Sequence, residues 1–214
     1  MNIAVIGATG DMGYGLAMRL AKAGHHICIG SRQAEKAQEA AGRMKAECGC
    51  GNITGLANPE ACIANDFIIL SVPSAGHRAT LESLADLLQN KQVLDVTIPL
   101  AFKPLRYAPP AEGSNALETK AVLGGNAKVA AGFHTISAEL LCDITQRVEG
   151  DLLVVGDDEE TVAASIRLGE EIGLRAFNAG GLVHSPTVEA ITPMLIGINR
   201  RYGKRHTGIA LTGI

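Results

Sequence analysis

The chain has 214 residues, a formal net charge of −3, 19% charged residues, 3% aromatic residues and no Trp. This length predicts one domain of ordinary size, large enough to bury its own core. A slightly acidic chain with so few aromatic side chains lacks the positive charge and the stacking surfaces of a single-stranded nucleic-acid binder. The glycine-rich, aliphatic composition instead favours a parallel α/β sheet with both faces buried.

Cysteine usage and hydropathy limit the cellular setting. The five cysteines have no repeating frame, which favours a reducing compartment over a disulfide scaffold. Cys48 and Cys50 are candidates for a redox or metal pair, but no second CxxC or nearby histidine completes a zinc site, so we predict no metal. The first residues predict a core strand rather than a signal peptide, and no apolar run is long enough to span a membrane. We therefore expect a cytoplasmic protein that acts on a small molecule, without membrane or nucleic-acid partners.

The segment 2–32 is the most informative part of the chain. An apolar strand from Asn2 to Ile6 is followed by a glycine-rich turn, an apolar-periodic helix from Leu16 to Ala23 and a second strand at 27–31. This order predicts the first half of a dinucleotide-binding βαβ unit. Backbone N–H groups at the start of its helix face the negative charge of the ligand.

Three glycines of the turn have the spacing GxxGxxG rather than the usual GxGxxG. We expect Gly7 to permit the tight turn, Gly10 to leave room for a pyrophosphate and Gly13 to let the helix pack closely on the sheet. The alternative interpretation is a purely structural turn, because glycine-rich turns are common.

The end of the second strand predicts which dinucleotide binds. NAD enzymes usually place Asp or Glu here to bind the ribose 2′-OH, whereas this strand ends in Gly30-Ser31-Arg32. Arg32 can form a forked contact with a 2′-phosphate, Ser31 can donate its hydroxyl, and Lys36 adds a positive charge one helical turn later. The sequence therefore predicts NADP. The alternative is that Arg32 and Lys36 are solvated charges at a helix start.

Apolar runs predict a short edge strand at 53–55 and further strands at 66–73, 91–97, 128–133, 151–157 and 174–178. Because they alternate with helical segments, we expect a Rossmann-type, doubly wound α/β fold with a mainly parallel sheet. The dinucleotide-binding domain is expected to cover 1–180, and 181–214 to form a short C-terminal helical extension. The segment 101–115 has three prolines and no clear period, which predicts a loop able to fold over a bound substrate.

Three helices have interpretable local signals. The segment 34–47 predicts a helix whose inward face carries Ala37, Ala40, Ala41 and Met44. Asn58 is the expected N-cap of the next helix, with Pro59 at the first helical position. Asp157 and Glu160 are expected to form a capping box, and an apolar helix is predicted at 185–202.

The carboxyl ends of parallel strands form the ligand-binding edge of such a sheet. Ser71, Val72 and Pro73 end one strand and are therefore expected beside the dinucleotide. His77 is expected either to reach a phosphate or to be solvated in the first turn of a helix. His134 ends another strand at the same edge and is the catalytic candidate, as a donor of a proton or a hydrogen bond to a developing charge.

Together these patterns resemble the coenzyme F420-dependent NADP oxidoreductases, which use an 8-hydroxy-5-deazaflavin. The similar segments are spread over the full chain: 7–15, Ser31-Arg32 with Lys36, 53–55, Val72-Pro73, His134-Thr135-Ile136, 155–159 and 188–193. The resemblance implies direct hydride exchange between NADP(H) and the deazaflavin coenzyme F420. Such a reaction needs C4 of the nicotinamide held about 3–3.5 Å from the acceptor carbon with water excluded, and it needs no nucleophile and little acid–base help.

The resemblance also implies a role for individual residues. The 2′-phosphate site would consist of Thr9, Ser31, Arg32 and Lys36, and the pyrophosphate loop of Gly10, Asp11 and Met12. The deazaflavin would be lined by His134, Thr135 and Ile136, with Ala138 near the nicotinamide.

Two other functions and one assembly state are also consistent with the sequence. The chain could be an NADPH reductase of another small acceptor, such as an imine, a flavin or a ferric complex, or a redox sensor that binds NADP without turning it over. The apolar C-terminal helix, with Ile191, Met194, Leu195 and Ile198, predicts a homodimer. The alternative is that this apolar face packs on its own sheet.

Overall fold

The computed structural model describes all 214 residues. The strands are Asn2–Ile6 (β1), His26–Ser31 (β2), Ile53–Ala57 (β3), Phe67–Leu70 (β4), Gln92–Asp95 (β5), Leu100–Phe102 (β6), Leu105–Tyr107 (β7), Lys128–Ala131 (β8), Asp151–Gly156 (β9) and Arg175–Asn178 (β10). The α-helices are Asp11–Lys22 (α1), Ala34–Cys48 (α2), Asn58–Ala64 (α3), His77–Leu84 (α4), Asn115–Leu123 (α5), Ala138–Cys142 (α6), Glu159–Glu171 (α7) and Ser185–Tyr202 (α8).

Eight strands form one sheet in the order β10-β9-β8-β5-β4-β1-β2-β3. All neighbouring pairs are parallel except β8 and β9, which are antiparallel. The expected Rossmann-type, mainly parallel sheet is therefore confirmed, and β3 is the edge strand predicted at 53–55. The chain order reverses between β1 and β4, which makes their carboxyl ends the topological switch point where α/β proteins bind ligands.

Helices cover both faces of the sheet. Ile3 and Val5 of β1 belong to one apolar cluster, which includes residues of α1, α2 and α7. Ala4 and Ile6 point to the opposite face and belong to a second cluster with residues of α3, α4, α5 and α8. The predicted inward face of α2 is also confirmed, because Ala37, Ala40, Ala41 and Met44 are its buried residues.

The first glycine turn packs directly on the end of β4. Gly7 has a φ of +89°, and a Cβ there would lie 2.7 Å from Val72 Cγ1 and 2.8 Å from the Ser71 carbonyl oxygen. A Cβ on Gly13 would lie 2.8 Å from both Ala8 Cα and Ser71 Oγ. Both positions therefore require glycine, as expected for a turn and for a helix that approach the neighbouring strand closely.

Two helix starts differ from the prediction by one residue. Asn58 is the first residue of α3 rather than its N-cap; Ala57 precedes the helix, and Asn58 is buried. Asp158, not Asp157, caps α7, and its carboxylate accepts hydrogen bonds from Thr161 N at 2.9 Å and Thr161 Oγ1 at 2.6 Å. Asp and Asn both satisfy helix-start donors well, so neighbouring candidates are difficult to separate from sequence alone.

The segment 101–115 is more ordered than the loop that we predicted. It contains most of an antiparallel hairpin, in which Leu100 pairs with Tyr107 and Phe102 with Leu105, followed by the start of α5 at Asn115. The strands are too short to produce a detectable alternation, which explains the error. No helix of the structure has the length and hydrophobicity needed to cross a membrane.

Candidate active site

A cavity of about 620 Å³ opens at the carboxyl edge of the sheet, beside the switch point. This volume lies in the range of pockets that hold drug-sized ligands and cofactors. The wall carries residues from the α1 start, the ends of β4, β5 and β8, the hairpin and α8: Gly10, Asp11, Met12, Ser71, Val72, Pro73, Ser74, Ala75, Val96, Thr97, Ile98, Leu100, Phe102, His134, Thr135, Ile136, Ser137, Ala138, Thr192, Leu195, Ile196, Asn199, Arg205 and Thr207.

Ten of the predicted site residues line this cavity: Gly10, Asp11, Met12, Ser71, Val72, Pro73, His134, Thr135, Ile136 and Ala138. Five others do not: Gly7, Thr9, Ser31, Arg32 and Lys36. They lie beside it, because Ile6 pairs with Gly30 across β1 and β2, and Gly7 N donates to Gly30 O at 3.2 Å. The ends of β1 and β2 thus continue the cavity edge outward.

The start of α1 is suited to a phosphate group. Gly10 precedes the helix and is exposed, and a Cβ at this position would meet no atom within 4 Å. No side chain caps this helix start, which leaves its first N–H groups available to a ligand. An anion such as a pyrophosphate therefore fits here without displacing any protein group.

The end of β2 carries positive charge that no acidic residue neutralises. Arg32 and Lys36 are exposed and take part in none of the ion pairs of the structure. Ser31 is half-buried, and its hydroxyl accepts only a long 3.4 Å hydrogen bond from Gln33 N. These groups fit a ribose 2′-phosphate, and no Asp or Glu follows the strand to bind a free 2′-OH.

His134 is buried at the cavity wall without a hydrogen-bonding partner for either ring nitrogen. Burial lowers the pKa of His134 to about 4, although the nearby Asp95 acts in the opposite direction. The imidazole is therefore neutral at pH 7, with one N–H donor and one acceptor free. Its main-chain carbonyl is fixed by Thr192 Oγ1 of α8 at 2.6 Å, which holds the strand end in place.

His77 differs from both of its predicted environments, because it is buried and both of its ring nitrogens are paired with carboxylates, which leaves neither nitrogen free for solvent or a phosphate. It is completely buried, with Nε2 at 2.9 Å from Asp95 Oδ2 and Nδ1 at 2.7 Å from Glu118 Oε2. Burial disfavours the charged ring, but the two carboxylates outweigh this effect and raise the pKa of His77 to about 9. The residue is therefore a buried imidazolium that is paired on both sides.

Asp95 connects this charge cluster to the cavity. Its Oδ1 accepts hydrogen bonds from Thr97 N at 2.9 Å and Thr97 Oγ1 at 2.6 Å, and Thr97 lines the cavity. Its Oδ2 also accepts from Thr119 Oγ1 at 2.6 Å. Burial acts to raise the pKa of Asp95, but His77 and the hydroxyl donors lower it overall. Asp95 therefore stays ionised and holds the end of β5.

A second buried carboxylate joins the hairpin to α8. Glu189 accepts hydrogen bonds from Asn115 N at 3.0 Å, Ala116 N at 3.1 Å and Tyr107 OH at 2.9 Å. Burial raises the pKa of Glu189 to about 7, and the charge of Asp95 contributes to this increase. Because Leu100 and Phe102 of the hairpin line the cavity, Glu189 fixes part of its wall from behind.

Sequence analysis missed Asp95, Glu118 and Glu189. A charged residue inside an apolar run, as in Val93-Leu94-Asp95-Val96, is a signal that could have indicated a paired buried charge. The partners could not be identified in this way, because Glu118 lies far along the chain in a different helix.

Comparison with known proteins identifies the family. A model of the NADP oxidoreductase, coenzyme F420-dependent family matches residues 2–99. The F420-dependent NADP reductase of Methanothermobacter thermautotrophicus is 39% identical, with 100% of this chain and 96% of that protein covered. The corresponding protein of Methanocaldococcus jannaschii is 41% identical, with 100% of this chain and 99% of that protein covered. The chain belongs to the F420-dependent NADP reductase family.

Solved structures show how this family member differs in architecture from larger reductases. A proposed F420-dependent NADP reductase from Arthrobacter sp. FB24 has the same fold, with a TM-score of 0.86, 22% identity and full coverage of both chains. An imine reductase of Streptomyces aurantiacus has a TM-score of 0.62 and 18% identity over 94% of this chain, but over only 62% of its own. The shared part is the Rossmann-type fold.

The buried charge cluster predicts a pH dependence of stability. The pKa of His77 is about 9 in the folded protein, whereas the pKa of a histidine in an unfolded chain is about 6.5. The folded chain therefore keeps a proton that the unfolded chain releases. Stability from this group is fully present below about pH 6.5 and is lost as the pH rises through about 9, by about 3 kcal/mol in total.

Urea denaturation between pH 6 and 10 measures this effect. His77→Gln should be less stable than the wild type at pH 6, and its free energy of unfolding should fall much less between pH 6 and 10. His26→Gln, at an exposed position, should show the same fall as the wild type. An equal decline in wild type and His77→Gln would show that other groups cause the pH dependence.

Proposed function

We propose that this chain transfers a hydride between NADP(H) and coenzyme F420. The observation that carries the proposal is full-length similarity, at about 40% identity, to proteins described as F420-dependent NADP reductases. The geometry supports it, because the uncapped start of α1 and the basic end of β2 adjoin one cavity of about 620 Å³. Such a cavity is large enough for two stacked rings.

In this proposal, the dinucleotide lies across the switch point. Thr9, Ser31, Arg32 and Lys36 bind the 2′-phosphate, while Gly10, Asp11 and Met12 hold the pyrophosphate through main-chain N–H groups and the helix dipole. Ser71, Val72 and Pro73 bound the nicotinamide side of the cavity. Thr135, Ile136 and Ala138 bound the place of the second ring.

When bound, the two coenzymes supply the chemistry, since the hydride passes directly between nicotinamide and deazaflavin. The protein contributes position and a dry environment, which are the main requirements of such a transfer. The apolar side chains of the hairpin and α8 exclude water from the rings. His134 offers a neutral hydrogen-bond donor in the same wall, not a protonated acid.

A direct assay tests the function. Purified protein mixed with reduced coenzyme F420 and NADP should restore the visible absorbance of the oxidised deazaflavin while NADPH forms, and the reverse mixture should lose that absorbance. An absence of change in both directions, together with tight NADP binding, would instead favour a sensor. NADPH oxidation by imines, flavins or ferric complexes alone would favour a different reductase.

The same assay tests the cofactor preference. Arg32→Ala removes the group placed on the 2′-phosphate, so the NADP KM should rise by about tenfold or more while NAD is unaffected. Arg43→Ala, which removes an exposed charge from α2, is the control and should change neither value. Equal use of NAD and NADP by the wild type would contradict this assignment.

The state of His134 gives a separate prediction. Because its pKa is about 4, the rate of hydride transfer should show no titration of this residue between pH 5.5 and 8. His134→Phe should lower the single-turnover rate by about tenfold through loss of one hydrogen bond, with the pH profile unchanged in shape. A step near pH 6.5 that disappears in His134→Phe would show that the histidine acts as an acid.

We further propose that residues 181–214 form a cover for the sheet domain of residues 1–180 and the contact surface of a homodimer. Met194 on α8 is 57% exposed, and Val183, which precedes α8, is 70% exposed, so both leave apolar surface for a second copy of the chain.

The five free cysteines support a reducing, cytoplasmic location.

Sedimentation at micromolar concentration tests the assembly. The wild type should be a dimer, and Met194→Glu should shift it towards monomer. Ile63→Glu, at an equally exposed apolar position on α3, is the control and should remain dimeric. A monomeric wild type would eliminate the dimer.

A further inference from the structure

The C-terminal segment has a charge opposite to that of the whole chain. The complete chain has a net charge of −3. Residues 190–214, in contrast, contain no Asp or Glu and four cationic side chains: Arg200, Arg201, Lys204 and Arg205. Such local accumulation produces a positive potential in a protein that is acidic overall.

The structure brings part of this segment to the cavity. The cavity face of α8 carries Thr192, Leu195, Ile196 and Asn199, which follow the spacing of one helix side. The helix ends at Gly203, which has a left-handed φ of +61°, and the chain turns back so that Arg205 and Thr207 also line the cavity.

The returning chain is held in place by specific hydrogen bonds. Asn199 Oδ1 accepts from Thr207 N at 3.1 Å and from Thr207 Oγ1 at 2.6 Å. His206 Nδ1 lies 3.0 Å from Ser137 Oγ, next to the start of α6. The position of Arg205 at the cavity mouth is therefore defined by its neighbours.

Most of this positive charge has no protein partner. Arg205 pairs with Glu139 on α6, and both side chains are at least half exposed. Arg200 and Lys204 are exposed and form none of the ion pairs of the structure. Asn199 and Arg205 line the cavity, and Arg200 and Lys204 are their neighbours in the chain; we call Arg200, Lys204 and Arg205 the basic rim.

Helix-dipole complementarity explains only part of this pattern. Cations in the last turn of a helix are favourable, which accounts for Arg200 and Arg201. Lys204 and Arg205 follow the helix end, and Arg205 lines the cavity instead of extending away from it. Positive charge beside a cavity whose accessible surface is mainly apolar suits a ligand with an apolar ring and an anionic side chain.

We propose that the basic rim binds the anionic side chain of the deazaflavin coenzyme. This inference rests on the proposed function, and it assigns a second subsite to the same substrate. The ring occupies the apolar cavity, and the phosphate and carboxylate groups of the side chain leave through the mouth between α6 and the C-terminal segment. There Arg205 exchanges Glu139 for a ligand oxyanion, while Lys204 and Arg200 add electrostatic attraction.

Binding measurements with two ligands test the rim separately from hydride transfer. Fluorescence titration should compare complete coenzyme F420 with 8-hydroxy-5-deazariboflavin, which has the same ring but lacks the phosphate and the carboxylates. The complete coenzyme should bind about tenfold more tightly than 8-hydroxy-5-deazariboflavin at low salt. Raising the ionic strength should lower the affinity for the complete coenzyme alone. NADP affinity is measured in parallel as a check on folding.

Variants on both sides of the ion pair distinguish ligand binding from a structural latch. Arg205→Ala should lower the affinity for the complete coenzyme about five- to tenfold and leave the affinity for 8-hydroxy-5-deazariboflavin unchanged. Glu139→Gln should raise the affinity for the complete coenzyme about twofold, because it frees Arg205 and removes a repelling charge. Arg167→Ala, at an exposed position on α7 away from the cavity, is the matched control and should have no effect.

Three results would overturn the inference. Equal affinity for the two deazaflavins would remove the side-chain subsite while leaving the proposed hydride exchange intact. Weaker coenzyme binding in Glu139→Gln as well as in Arg205→Ala would identify the ion pair as a structural latch. Failure of both deazaflavins to bind or to exchange hydride with NADP would reject the proposed function together with the rim.

Discussion

Close approach between the first glycine turn and the end of β4 is the constraint on which the site depends. Gly7 and Gly13 have no room for a Cβ against Ser71 and Val72, so the α1 start lies directly beside the neighbouring strand end. This contact places the free N–H groups of α1 at one wall of the cavity and Pro73 at another. A wider separation would divide the phosphate-binding region from the space for the rings.

The second element of the design is a set of buried charges behind the cavity. His77 is compensated by two carboxylates, and Asp95 by hydroxyl and main-chain donors, so no charge is buried alone. The cluster joins β5 to α4 and α5, while Glu189 joins the hairpin to α8. These contacts hold the cavity wall from behind, and the side chains of His77, Asp95 and Glu189 do not themselves line the cavity.

Local patterns predicted the sheet, α1, the inward face of α2 and the region of the site, because each depends on neighbouring residues. The strands at 66–73 and 128–133 are continuous apolar runs, and their ends necessarily meet at one edge of a parallel sheet. The surroundings of His77 and the return of Arg205 to the cavity depend on partners distant in the chain, as in the pair His77 and Glu118. No periodicity records such pairs. The hairpin was missed because each of its strands has only three residues.

The reversed direction of β9 has a practical consequence for handling the protein. Because β9 runs antiparallel to β8, its first residue, Asp151, lies at the carboxyl edge of the parallel strands, where its main chain and side chain bind Ile209 and Leu211. The segment around Ile209 and Leu211 is thus held at the same edge of the sheet as the cavity, whereas Met1 contacts His25 at the opposite edge. An affinity tag or fluorescent fusion on the C-terminal side of Leu211 would therefore lie at the cavity edge of the sheet, and one on the N-terminal side of β1 would lie at the opposite edge.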